Sequence, residues 1–380
     1  MLRLFSSYAD PFEKIVDRFF KKISNRSNPR VVHQQLERLL QHNVVIVNLF
    51  MEKKFKNYRY LTTATRQRLY TNTQKLATAF DQFVQQYQVD ANLFPKVFEQ
   101  YQVGWQSNWT DQLRYLSAIM AFLKPGQRYQ YIKSASFGKL LQDPANTILQ
   151  GDCNQIVTLY TYLYARKFPI TDLQAKVLPE HVCLHFHGID IEATNATFTY
   201  YPSYDYLVQI SELTAINLLD VSDFRENTAP ISKKTLLKSA QLAYVISSLR
   251  DLVKRNLTVA YHNLTLYAVE RHDYRNALLY AKTIRQKQLF TYVLQAQAAH
   301  YYNANQLGQA RKLYQQLHDV KMIQATYQKE YNQLASRMPT TRTIADLKRY
   351  RSRYKKLLQI ATKAGLTEQV NQIKSVLRQI

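Results

Sequence analysis

Glycine is scarce in this chain: only 7 occur in 380 residues, against 29 tyrosines and 17 phenylalanines. So few glycines cannot serve the many tight turns of a sandwich or barrel, which leaves long helices as the main expected element. Cysteine is scarcer still. Cys153 and Cys183 are too few for a disulfide framework and suit a reducing compartment, so a cytoplasmic protein is expected. Long apolar runs are also missing. The longest, Val44 to Met51, is interrupted by Asn48 and is too short to span a bilayer. The opening MLRLFSSYADPFEKIV lacks the basic, apolar and small-residue succession of a secretory signal. No membrane segment is expected, and the Asn108-Trp109-Thr110 triplet then has no glycosylation meaning. There is no Gly-rich phosphate loop, His-Glu-x-x-His or Cys-x-x-Cys, which removes the usual support for nucleotide-driven and zinc-protease chemistry. No cofactor and no metal are expected.

What is present can fill more than one core, since 46% of the residues are apolar and the length suits two or three domains. Charge divides the chain sharply. Residues 1–150 hold 21 Lys/Arg and 10 Asp/Glu, residues 151–230 hold 4 and 10, and residues 231–380 hold 26 and 7. An acidic island therefore lies between basic flanks. Such flanks favour an acidic partner surface, RNA or an anionic membrane face, and they also simply keep a protein soluble.

Between residues 12 and 90, Val31, Val32, Leu36, Leu39 and Leu40 fall on one stripe, as amphipathic helices require. Residues 91–150 are punctuated by Pro95, Gly104, Pro125-Gly126 and Asp143-Pro144. From Cys153 the pattern sharpens. Ile156, Val157, Tyr160, Leu163 and Tyr164 recur at helical spacing until Phe168-Pro169, which places Cys153 at the N-terminus of a buried helix. After Pro169 the period becomes two: Ala175 and Val177, then His181, Cys183, His185 and His187 alternating with Val182, Leu184 and Phe186. His187-Gly188 can form a two-residue hairpin turn. In that register Cys183 faces Glu192 and His181 faces Thr194, with Asp190 and Glu192 on the face of His181 and Glu192 its nearer diagonal neighbour.

These placements suggest chemistry. A thiol attacks a carbonyl as thiolate, and a helix N-terminus favours that form with partial positive charge and free N–H groups, which can also cradle an oxyanion. Cys153 is the candidate nucleophile, His181 the base 28 residues later, and Glu192 the carboxylate 11 further on that orients the imidazole. Asp190 is the reserve for the last role. Taken singly, each residue has a plainer reading: a small core cysteine, a structural histidine, a solvated acid.

Gly151-Asp152-Cys153, Pro179-Glu180-His181-Val182 and Ile191-Glu192-Ala193-Thr194 together resemble the transglutaminase-like superfamily, in particular its bacterial members with C-terminal tetratricopeptide-like repeats. Glu192 and Ala193 stand where Asp and Pro are usual. The resemblance covers roughly residues 130–205. It implies an α+β papain-related core and thiol-dependent acyl transfer or amide hydrolysis, though some members are not enzymes. A second pattern lies further on. Tyr261, Leu264, Ala268, Tyr274, Ala277 and Ala281 are matched by Leu294, Gln297, Tyr301, Leu307, Ala310 and Tyr314 at a constant offset of 33. That offset resembles the tetratricopeptide repeat, with Thr265 where Gly or Ala is usual.

The expected architecture is α+β and mostly helical: an N-terminal helical domain over 1–105, a papain/transglutaminase-like core over 106–230 and a helical-repeat domain over 231–380. The leading functional expectation is a thiol hydrolase or acyltransferase, such as a protease, amidase or transglutaminase, acting on a protein or peptide. A protein partner is possible through the repeat domain. The alternative is a non-catalytic interaction protein whose basic helical surface binds acidic protein or nucleic acid. Its motif would be Lys348-Arg349-Tyr350-Arg351-Ser352-Arg353-Tyr354-Lys355-Lys356. There Leu347, Tyr350, Tyr354, Leu357, Leu358 and Ala361 share one apolar stripe, so the tyrosines are expected to pack inward. A metal reading of His181, Cys183, His185 and His187 ranks below the triad, because four ligands on one strand cannot converge on a tetrahedral centre. Trp105 and Trp109 could wall a cleft, and core packing is the plainer expectation.

Overall fold

Side-chain caps and prolines set the first helices. Asp10 accepts from the Phe12 N–H at 2.7 Å and Asn28 from the Arg30 N–H at 3.0 Å, with proline as the next residue each time, starting the helices Pro11–Lys22 and Pro29–Met51. The structure, a computed structural model, describes residues 7–24, 26–90, 92–133, 136–143, 147–219, 232–340 and 343–380. The start of the N-terminal stretch, Pro144 and the boundary expected at 230/231 lie outside the described residues. Helix dominates, accompanied by a small antiparallel sheet. Among the described residues no helix is long and apolar enough to cross a membrane.

Two compact units are present, Met1–Leu257 and Thr258–Ile380. In the first, buried apolar residues from Phe12 to Val253 form one continuous core. The boundary expected at 105/106 therefore does not separate two cores, because the helices of the N-terminal third pack directly on the sheet-bearing part. The helix Cys153–Tyr164 lies at the centre. Every residue from Gln155 to Tyr164 is buried, and the helix packs against Pro29–Met51, Thr110–Phe122 and the sheet. Of the early stripe, Val32, Leu36 and Leu40 point inward, whereas Val31 is 46% exposed. A spacing of four keeps one face of a helix, and Val31 falls beside it.

Two strands, β1 (Tyr129–Tyr131) and β2 (Leu149–Gly151), form a short parallel pair that leads into Cys153. The main sheet contains β3 (Gln174–Leu178), β4 (His181–Phe186), β5 (Ile189–Glu192), β6 (Thr197–Thr199) and β7 (Tyr206–Gln209), in the order β6-β5-β4-β3-β7. Pro179-Glu180 turns β3 into β4, with Glu180 at φ 55°. His187-Gly188 turns β4 into β5, with φ of 46° and 96°, as a twisted two-residue hairpin needs. Leu184 pairs with Ile191, His185 with Asp190 and Phe186 with Ile189, which is the register expected from that turn.

The second unit repeats itself. Helices Tyr274–Thr283 and Leu307–Gln316 stand 33 residues apart, and so do the turn residues His272 and Asn305 (φ 58° and 62°) and Arg285 and His318 (φ 54° each). Ala277 and Ala310, related by the same offset, are both 0% exposed. Thr265, also buried, returns its hydroxyl to the Tyr261 carbonyl at 2.8 Å and so leaves no unmet donor. The basic segment is not one helix: Ile344–Arg349 ends at Tyr350 and Arg351–Ala364 begins there, with Leu357 and Ala361 buried and Tyr354 and Leu358 partly so. Enlarging Ala310 to Leu is expected to destabilise the second unit by roughly 1–3 kcal/mol, because a fully enclosed position has no room for added methylenes. Urea unfolding would measure this, and unchanged stability would mean that the contact is loose.

Candidate active site

The segment before Cys153 is held from several sides. The buried Tyr129 donates its hydroxyl to the Gly151 carbonyl at 2.9 Å. A Cβ on Gly151 would lie 3.2 Å from Leu140 and 3.3 Å from Gln155, so the strand end is closely packed. Asp152 then caps the helix. Its Oδ1 accepts from the Asn154 and Gln155 N–H groups at 2.9 and 3.2 Å, and Gln155 Oε1 accepts from the Asp152 N–H at 2.8 Å. This reciprocal box fixes Cys153 as the first helical residue, where the helix dipole is positive. Cys153 keeps partial exposure, whereas Cys183 is fully buried and burial pushes its thiol far above the ordinary value.

His181 opens β4 immediately after the Pro179-Glu180 turn, with 26% of its side chain exposed. Its Nε2 lies 2.6 Å from Glu192 Oε2. The Cys153 thiol also acts on this ring. With Nε2 engaged by Glu192, Nδ1 is the nitrogen left for the sulfur. Cys153 first, and then the bond to Glu192, favour the imidazolium over the opposing effect of burial and push His181 up to about 10. Burial works against the Glu192 charge, but hydrogen bonds from His181 and Thr194 outweigh it and hold the carboxyl below its ordinary range. Thr194 donates its N–H at 3.0 Å and its hydroxyl at 2.5 Å to Oε1, and the Tyr201 hydroxyl donates to Oε2 at 3.0 Å. Cys153, His181 and Glu192 are thus brought together.

Asp190 is not part of that group. Its Oδ2 lies 2.7 Å from Lys176 Nζ and accepts from the Tyr201 N–H at 2.7 Å, while its Oδ1 meets His185 Nδ1 at 2.6 Å. His185 Nε2 in turn accepts from the Gly188 N–H at 3.1 Å. His187 leaves the strand at its turn and stacks on Trp109, with ring centroids 4.2 Å apart and planes 3° apart. The alternating histidines therefore have separate tasks, and among the described residues no group of three or more His, Cys, Asp or Glu could hold a metal ion. Trp105 and Trp109 pack with Phe94, Phe98 and Phe186. That cluster meets β4 at Phe186 and His187, the end opposite His181, and reaches β6 through Phe94 and Phe198, so both tryptophans pack against the core, as the plainer expectation holds.

Sequence reading missed Tyr201. The only local hint was Tyr200-Tyr201-Pro202, a turn-forming proline after aromatics, and nothing in it points to Glu192. Comparison with protein-family models, curated proteins and solved structures returns no match.

The pH dependence of stability follows from the two shifts. A histidine raised from 6.5 to about 10 contributes fully below 6.5 and loses that contribution as pH rises through about 10. A carboxylate held below 4.5 contributes above that value and loses the contribution as pH falls. The difference in thermal stability between wild type and His181→Gln should be widest between pH 4.5 and 6.5 and should close toward pH 10. A difference that is flat across this range would show that His181 is not paired.

Proposed function

We propose that this protein performs cysteine-dependent acyl transfer or amide hydrolysis, with Cys153 as nucleophile, His181 as proton carrier and Glu192 as orienting carboxylate. The observation that carries this reading is the His181 ring bound to the Glu192 carboxylate at 2.6 Å, with the Cys153 thiol at the helix tip acting on the same ring. A protonated imidazole and a helix N-terminus beside a sulfur both favour its anionic form. The Cys153 sulfur would attack an amide carbonyl, and the resulting oxyanion would meet the Cys153 N–H at the helix tip. Imidazolium His181 would give its proton to the leaving amine as the C–N bond breaks, leaving a thioester and a neutral ring. Water or a second amine would then attack the thioester, His181 taking its proton as the C–S bond breaks, which restores the thiolate–imidazolium pair.

The combination is that of a transglutaminase-like, papain-related core, with the 33-residue helical repeat as a tetratricopeptide-like partner domain. Iodoacetamide at neutral pH is expected to label Cys153 and leave Cys183 untouched, and His181→Ala should slow Cys153 labelling roughly 10-fold or more. If Cys153 reacts no faster than a free thiol and His181→Ala changes nothing, the catalytic reading falls. Peptide and amine-acceptor screening with Cys153→Ala as control would separate hydrolase from transferase.

A second reading rests on Lys348, Arg349, Arg351, Arg353, Lys355 and Lys356, all exposed. The Arg349 and Arg353 guanidiniums stand 5.8 and 5.3 Å from the Tyr350 ring centroid, a stacked cationic edge suited to phosphate or carboxylate. We propose this ridge as a surface for a polyanionic partner, acidic protein or nucleic acid. Binding to a single-stranded oligonucleotide should weaken roughly 300-fold between 50 and 200 mM salt if all six cations take part, and binding to a polyglutamate peptide should weaken in the same direction. Affinity that is indifferent to salt, or that survives charge reversal at these six positions, would remove the ridge from consideration.

A further inference from the structure

We propose that Tyr201 is a positioning residue of this site, fixing the Glu192 carboxylate and sharing the oxygen through which Glu192 holds His181. The proposal rests on the thiol reading above. Tyr201 is attached at three points. Its N–H donates to Asp190 Oδ2 at 2.7 Å, its carbonyl accepts from Lys176 Nζ at 3.1 Å, and its hydroxyl donates to Glu192 Oε2 at 3.0 Å. The first two bonds tie its backbone to a buried ion pair, Lys176–Asp190, in which both side chains are almost wholly enclosed. With the backbone tied on both sides, the ring has little choice of direction. It reaches Glu192 with its ring centroid 6.5 Å from that of His181 and the two planes 71° apart.

The carboxylate that it meets is otherwise occupied. Thr194 takes Oε1 twice, so His181 and the Tyr201 hydroxyl must both use Oε2. The titratable and hydrogen-bonding groups around this carboxylate and its histidine come from several elements: Cys153 and Tyr160 on the central helix, Tyr129 on β1, and Thr194 and Tyr201 after β5. Of these, only Tyr201 donates to the oxygen that His181 uses. A donor on a shared oxygen draws off part of its charge, so the hydroxyl both prevents rotation of Glu192 and moderates its grip on the imidazolium. That matters for a ring that has to release a proton to a leaving amine and later take one back.

Tyr201→Phe removes the hydroxyl and keeps the ring and both backbone anchors. Imidazole ¹⁵N NMR, with the His181 signal assigned by its loss in His181→Gln, would follow the titration in the full-length protein. Tyr201→Phe should raise the His181 midpoint by about half a unit or more, since Oε2 then serves His181 alone. Tyr200→Phe, which removes a neighbouring hydroxyl that makes no bond to Glu192, should leave it unchanged. An unmoved or lowered midpoint in folded Tyr201→Phe, or an equal shift in Tyr200→Phe, overturns the assignment of Tyr201. If wild-type Cys153 labels rapidly and depends on His181 while Tyr201→Phe is silent, only that assignment fails. If wild-type Cys153 is inert and His181 titrates as a free histidine, the thiol reading fails with it.

Discussion

Glu192 is an anion almost shut off from water, and the site is organised around making that tolerable. A carboxylate moved out of water without partners costs far more than one hydrogen bond returns, so a buried one persists only where donors saturate it. Here the Thr194 N–H, the Thr194 hydroxyl, the Tyr201 hydroxyl and the His181 ring fill its two oxygens. The histidine is the member of that set that stays partly exposed, and the Cys153 thiol acts on it. Burial at Glu192 is thus converted into a fixed imidazole orientation at the thiol. The capping box of Asp152 and Gln155 does the same from the other side by setting where the helix begins.

The same sheet face holds a second ionic group, Lys176, Asp190 and His185, further along the strands from the first. Alternation in β5 puts Asp190 and Glu192 on one side of the sheet, two residues apart, each with its own histidine on β4. The two carboxylates differ in their surroundings. Asp190 faces a lysine and a backbone amide and serves as an anchor, whereas Glu192 faces hydroxyls and a half-buried histidine. Tyr201 joins the two groups, bound by its backbone to one and by its hydroxyl to the other.

Much of this geometry was legible because it depends on local periods. His187-Gly188 fixes the hairpin turn, the turn fixes the register, and the register puts Glu192 closer to His181 than Asp190 is. Cys153 at a helix start follows from the apolar spacing of Ile156 to Tyr164. The offset of 33 marks helices and turns that do recur at that spacing. What local periods cannot report is which distant segments share a core. The early helices looked separable, yet Phe12 and Val253 belong to one apolar cluster. Val31 looked like part of the buried stripe and lies just off it, and Tyr350 looked like mid-helix and sits at a break. Lys176 and Tyr201 gave no signal, since a lysine inside a strand and a tyrosine after one acquire meaning only once Asp190 is placed between them.

Net charge along the chain also changes meaning once burial is known. The acidic island of residues 151–230 invites the inference of a negative surface around the thiol. Yet Asp190, Glu192 and Glu212 are buried, and each has its donors, with Glu212 accepting from the Ser248 N–H at 2.7 Å, the Ser248 hydroxyl at 2.8 Å and the Ser247 hydroxyl. Asp152 is consumed in capping, and Asp172 accepts from the Tyr164 hydroxyl at 2.9 Å. Among the described acids of this stretch, Glu180 and Asp205 are the exposed ones. Five of the seven described acids are thus engaged in internal hydrogen bonds, so the count alone does not establish a negative surface around the thiol. Selection at Cys153 would depend instead on shape and hydrogen bonding close to the thiol.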